Sequence, residues 1–121
     1  MSYIIVSLNL PRQILPDCFC ATGEPVTIIT ILRTTKEYSN EESFTIRDST
    51  YNTKFTQPSI SDNSQYTWSA TVCEGEASII MTDEEKDGWD TGSNVEIKKG
   101  STSLGVFRCS DGARETKTFT V

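Results

Sequence analysis

The densest group of chemistry-bearing side chains in this 121-residue sequence is the run Asp83-Glu84-Glu85-Lys86-Asp87-Gly88-Trp89-Asp90. Carboxylates at alternate positions followed by glycine let a backbone wrap a hard cation, with the glycine taking the sharp turn. The D-x-E-x-D-G order therefore matches the front half of a calcium loop. The expected donors are Asp83, Glu85, Asp87 and Asp90, with a carbonyl near Trp89. Asn94 stands where a helix-flanked loop would close on glutamate, and a solvated acidic hairpin is the competing reading. Trp89 has two readings of its own, an aromatic that anchors the loop or core, or a stacking platform for a sugar ring.

The chain has no histidine. That removes the usual general base near neutral pH, the Ser-His-Asp and Cys-His nucleophile pairs, and histidine-ligated zinc or iron. Carboxylates crowded on one short turn do not set an acid and a base across a substrate cleft, as glycoside hydrolysis requires. No enzymatic activity is expected. A formal net charge of -6 argues against a nucleic-acid partner, which calls for a basic face.

Four cysteines in a short chain favour two disulfides over free thiols, and with them an oxidising, extracellular setting. Zinc held by all four is the alternative, disfavoured because Cys18 and Cys20 have one residue between them where zinc pairs usually have two. Cys20 and Cys73 each precede a Gly-Glu-led strand, and Cys18 shares a strand face with Cys20. The expected bridges are Cys20 to Cys73 and Cys18 to Cys109.

These residues need a frame, and the sequence supplies it twice. Gly23-Glu24-Pro25-Val26-Thr27-Ile28-Ile29-Thr30 lies over Gly75-Glu76-Ala77-Ser78-Ile79-Ile80-Met81-Thr82. With one residue deleted, Tyr38 falls on Trp89, Phe44 on Val95, Ile46 on Ile97 and Phe55 on Val106. Thr67-Trp68-Ser69-Ala70 then meets Thr118-Phe119-Thr120-Val121, so the chain reads as two copies of a unit of roughly 51 residues. The expected organisation is a single domain: 1–17 an N-terminal strand and linker, 18–73 the first copy, 74–121 the second.

Each copy reads as four strands: 25–32, 42–47, 54–56 and 65–72 in the first, 77–82, 94–98, 103–108 and 116–121 in the second. Tyr66, Trp68, Ala70 and Val72 share one face of their strand, and Phe119 and Val121 one face of theirs, while no helical period is sustained. Turn signals such as Lys99-Gly100 and Asp111-Gly112 bracket the strands. An all-β sandwich of about eight strands, with one more at the N-terminus, is the simplest packing.

The additional strand is Tyr3-Ile4-Ile5-Val6-Ser7-Leu8-Asn9-Leu10, with Ile4, Val6, Leu8 and Leu10 on one face and Pro11 ending it. It either completes the chain's own sheet or adds to the edge of a neighbour. Residues 1–15 lack the basic start and small-residue cleavage site of a secretory leader, so export would need a segment ahead of this sequence or another route. Nothing in the sequence is long and apolar enough to span a membrane.

The stretch from Asp83 through Trp89, followed by Asn94-Val95-Glu96-Ile97-Lys98-Lys99-Gly100 and the closing Lys117-Thr118-Phe119-Thr120-Val121, resembles the DGDGW repeat of secreted and surface proteins of protists and bacteria. The resemblance covers the second copy; the first has Thr35-Lys36-Glu37-Tyr38 where Asp-Gly-Trp would stand. It implies extracellular or surface use. Two functions are expected from all this. One is a structural subunit of a surface layer or filament, self-associating by strand addition. The other is a calcium-dependent carbohydrate-binding module.

Overall fold

The computed structural model describes residues 20–110 and 112–121. The expected N-terminal strand, with Ile4, Val6, Leu8 and Leu10, lies outside the described residues, as does Cys18. The strands are β1 (Val26–Thr34), β2 (Glu42–Arg47), β3 (Thr53–Thr56), β4 (Gln65–Cys73), β5 (Glu76–Asp83), β6 (Asn94–Lys99), β7 (Thr102–Phe107) and β8 (Arg114–Thr120). Their ends fall within about two residues of the expected ones, the ordinary uncertainty of such boundaries. One 3-10 turn, Ser39–Glu41, leads into β2. Among the described residues no helix is long and apolar enough to cross a membrane.

Alternation decides which side of each strand is buried. Ile29 and Ile31 of β1 are fully buried while Ile28 between β1's start and them is 63% exposed, and Phe44 and Ile46 of β2 point inward between outward Ser43 and Arg47. Ile79 and Met81 of β5 and Val95 and Ile97 of β6 complete the middle of the core. Each such side chain contributes about 1.5–3 kcal/mol relative to exposure.

The strands form two four-stranded antiparallel sheets, ordered β4-β1-β6-β7 and β3-β2-β5-β8, packed as a β-sandwich. Each sheet takes its outer and central pair from one copy (β4 and β1, or β8 and β5) and the other pair from the opposite copy (β6 and β7, or β2 and β3). The copies are interleaved, and neither one supplies a sheet alone. The ladder irregularity recurs at aligned positions, between Ile46 and Arg47 in β2 and between Ile97 and Lys98 in β6. The first strands differ. Met81 of β5 faces Phe44, but Val95, aligned with Phe44, faces Arg33 rather than Ile29. The shift is by an even number of residues, which keeps the same side chains inward, and it brings a charged residue to the inner face.

The two open flanks of the sandwich are closed by aromatic side chains. Phe55 of β3 and Trp68 of β4 have ring centroids 5.3 Å apart, and Phe107 of β7 and Phe119 of β8 are 5.5 Å apart. At one end of β4, Cys73 is joined to Cys20 with Cα atoms 6.0 Å apart, the first of the two expected bridges. The Cys73 N–H donates to Asp48 Oδ2 at 2.9 Å, so the bend after β2 is fastened to the disulfide. Cys109 is fully buried in the core cluster, its sulfur 3.7 Å from the Gly112 carbonyl. Its expected pairing with Cys18 lies outside the described residues.

Candidate metal centre

Because β2 and β5 are neighbours, Glu42 is paired with Asp83, and the residue before Glu42 is carried to the mouth of the acidic loop. The Glu84 N–H donates to the Glu41 carbonyl at 2.9 Å. Within the loop, the Lys86 N–H donates to the Asp83 carbonyl at 3.2 Å and the Asp87 N–H donates to Asp83 Oδ2 at 2.9 Å. Gly88 follows with φ 87, and a Cβ there would sit 2.9 Å from the Ser110 carbonyl oxygen. Only glycine fits that approach without strain, since both the left-handed backbone and the close contact disfavour a side chain.

This folding brings carboxylate oxygens of Glu41, Asp83 and Asp87 within 4.8 Å of one another. Oxygens that share one calcium ion, each about 2.3–2.6 Å from it, lie no more than about 5 Å apart. Asp83 is 3% exposed, and its Oδ1 has no hydrogen-bond partner among the described residues. Burial, with the neighbouring Asp87 carboxyl next, pushes the Asp83 carboxyl up from its ordinary pKa. Glu41 is pushed up as well, by desolvation first and then by the charges of Glu85, Asp83 and Asp87. A cluster of this kind needs positive charge, supplied by a proton or by a cation.

Of the four donors expected from the sequence, Asp83 and Asp87 belong to this cluster, while Glu85 and Asp90 do not. Glu85 lines the adjoining cleft. Asp90 lines it as well, its Oδ2 accepting from the Glu37 N–H at 3.0 Å. Glu41 was not expected, because it belongs to the other copy of the repeat and reaches the site only through sheet pairing.

Trp89 is 2% exposed. Its Nε1–H donates to the Thr82 carbonyl at 2.8 Å, its backbone N–H to the Cys109 carbonyl at 2.7 Å, and the Arg33 guanidinium lies 4.2 Å over its ring. The surroundings match the loop-anchoring reading, and a sugar-stacking role for Trp89 is corrected: the ring has no face open to a ligand.

The exposed aromatic at this end is Tyr38, the residue aligned with Trp89. It is 59% exposed with φ 64. A cleft of about 490 Å³ opens beside the cluster, lined by Tyr38, Glu41, Glu85, Asp87, Thr91 and Arg108 among others. Arg108 Nη2 donates to the Trp89 carbonyl at 2.8 Å, while its Nε is buried and unpartnered. Asp83 Oδ1 and Arg108 Nε are the buried side-chain polar atoms without a partner among the described residues, and both belong to this corner of the molecule. No family model, curated protein or solved structure matches the chain.

Proposed function

We propose that the chain is a non-enzymatic, extracellular binding module that takes a divalent cation, calcium, at Glu41, Asp83 and Asp87. The observation that carries this reading is Asp83, buried with an unpartnered Oδ1 and with a carboxylate oxygen grouped with those of two further residues. A buried acceptor left unsatisfied is costly, by about 1–3 kcal/mol and more when charged, and a hard cation relieves that cost together with the mutual repulsion of the three groups. An all-oxygen, carboxylate-rich set suits calcium, which tolerates irregular coordination, better than magnesium, which demands a near-ideal octahedron. The Cys20–Cys73 disulfide supports an oxidising compartment.

Thermal melting in calcium and in chelator tests the reading. Binding to the folded state alone raises the midpoint with ligand concentration, and the rise is expected to vanish in Asp83→Asn. Identical midpoints for the native chain across millimolar calcium would refute it.

A second reading, self-association by strand addition, is favoured by one observation. The disulfide ties Cys20, and hence the root of the segment 1–19, to the end of β4, an edge strand of its sheet. Deleting residues 1–10 and following oligomeric state by size-exclusion chromatography tests it; a full-length chain that stays monomeric at high concentration argues against it.

A further inference from the structure

We propose that the open edge of β4 is a homodimer interface, on which β4 of a second copy of the chain pairs antiparallel across a two-fold axis to make one continuous sheet. This stands apart from the cation reading, and it gives the edge a different occupant from the segment 1–19.

A bare sheet edge is a template for pairing, and proteins blunt such edges with charge, proline, brevity or a bulge. The edges of the two sheets are β4 and β7, and β3 and β8. In β3 the ladder with β2 passes over Lys54, between Phe55 and Thr53; in β7 the ladder with β6 passes over Leu104, between Gly105 and Ser103. Each is a bulge on an edge strand, and β8 carries Arg114, Glu115 and Lys117. β4 has none of these devices. Its nine residues, Gln65–Cys73, include no charge and no proline, and all of them run in unbroken register with β1.

The hydrogen-bonding groups on that edge follow from the ladder. The Glu74 N–H donates toward β1, to the Pro25 carbonyl at 2.9 Å, whereas the Cys73 N–H points the other way, to Asp48 Oδ2. Alternation along an antiparallel strand then turns the N–H and C=O groups of Gln65, Thr67, Ser69 and Thr71 away from β1. All of these residues are exposed, and among the described residues β1 is the one ladder partner of β4.

Self-pairing satisfies these groups in one register. With Trp68 opposite Trp68 on the axis, Thr67 faces Ser69 and Gln65 faces Thr71 of the other copy, so every one of the outward N–H groups meets a carbonyl. Centring on Ser69 instead calls on the Cys73 N–H, which Asp48 already holds. A two-fold axis sets identical strands against each other and so risks opposing like charges; β4 brings none. On the outer face the hydroxyls of Thr67 and Ser69 meet. On the inner face Tyr66 falls opposite Ala70, a large side chain against a small one, next to a half-buried aromatic group in which Trp68 lies 5.3 Å from Phe55 and 5.4 Å from Tyr66. Aromatic side chains of this kind are enriched where proteins associate.

Sedimentation of the full chain over a concentration series tests the proposal, with a dimer as the expected result. Ser69→Pro removes an outward N–H that β1 does not use, and Thr67→Lys combined with Ser69→Lys sets lysines against lysines. Both are expected to weaken the dimer at least about tenfold, with melting curves showing a folded monomer; the lysine pair lies on exposed positions and covers the case in which proline disturbs the strand. Register is read by cross-linking. Facing residues of a hydrogen-bonded pair have Cα atoms about 5.5 Å apart, within disulfide reach, so Thr67→Cys and Ser69→Cys are expected to form a mixed disulfide with each other on oxidation, and Ser69→Cys none with itself. A full chain that stays monomeric at high concentration overturns the proposal, as does a dimer indifferent to both sets of substitutions, and a Ser69→Cys bridge to itself overturns the stated pairing. A dimer lost on deleting residues 1–10 also overturns it, and gives the interface to strand addition by that segment.

Discussion

Arg33 of β1 and Glu42 of β2 meet at 2.8 Å across the two sheets, with neither side chain exposed beyond 1%. Glu42 uses its other oxygen to accept from the Asp90 N–H at 2.9 Å, and Arg33 Nε donates to Gln57 Oε1 at 2.9 Å. The pair thus links β1, β2 and the far end of the acidic loop, and it places the guanidinium over Trp89. Removing one member leaves the other charge buried and unmatched, whereas removing both leaves only a packing problem. Arg33→Met is expected to lower the unfolding free energy by about 3–5 kcal/mol, and Arg33→Met combined with Glu42→Leu to recover a substantial part of it. Urea denaturation of both variants checks this; a double variant no more stable than the single one would show that the pair is needed for more than mutual neutralisation.

The Cys20–Cys73 bridge spans a sequence separation of 53 residues. In the chain-entropy description, closing a loop of that length stabilises the native state by about 4 kcal/mol. Replacing both cysteines by alanine is expected to reduce stability by that order, and reductant to have the larger effect on the native chain than on the variant. Denaturation with and without reductant measures both.

The proposed cation site separates two sets of acidic residues that look alike in sequence. Glu41→Gln is expected to weaken calcium binding about tenfold, because one oxygen donor with full charge is lost. Asp90→Asn, which keeps an acceptor for the Glu37 N–H, is expected to leave the affinity within about twofold. Calorimetry of the two variants decides between the folded cluster and a loop of consecutive ligands, for which Asp90 would matter and Glu41 would not.

Asp48 sets a pH limit. Burial pushes its carboxyl up, but hydrogen bonds from the Thr50 side chain and from the N–H groups of Cys73 and Thr50, with Lys54 nearby, outweigh burial and hold it below its ordinary value. A group depressed on folding contributes stability above its unfolded pKa of about 3.9, and that contribution is lost as pH falls through the folded value. Asp62 and Glu115 are held low in the same way. The melting midpoint is expected to fall below about pH 4, and less steeply in Asp48→Asn than in the native chain. Melting curves at successive pH values, taken in chelator, give the comparison.

The strands were legible because alternation at positions such as Phe44 and Ile46, or Tyr66 and Trp68, is imposed by burial on one side of a pleat. Cys20 with Cys73 was legible from the position of each ahead of a like strand. Glu41 was not, since nothing local marks a residue whose partners arrive through pairing of β2 with β5. Arg33 left a signal that could have been used: it continues the inward series of Ile29 and Ile31, and a charge on a buried face implies a buried partner. For Trp89, composition gave the right residue in a loop of interest, but only the fold shows that Arg33 occupies its ring and that Tyr38, its counterpart in the first copy, is the exposed one.

The interleaved order of the sheets also governs how the molecule can come into being. While only the first copy has been synthesised, β1 has β4 but lacks β6, and β2 has β3 but lacks β5, so each sheet exists as a two-stranded ribbon with a bare inner edge. Two-stranded ribbons are marginally stable in water, and pairings between distant segments form late and slowly. The first copy therefore waits, unfinished and adhesive, for the second to emerge. If that wait is long, the second copy of another molecule can fill the vacant edges as well as its own, so that delay in synthesis turns into intertwined dimers.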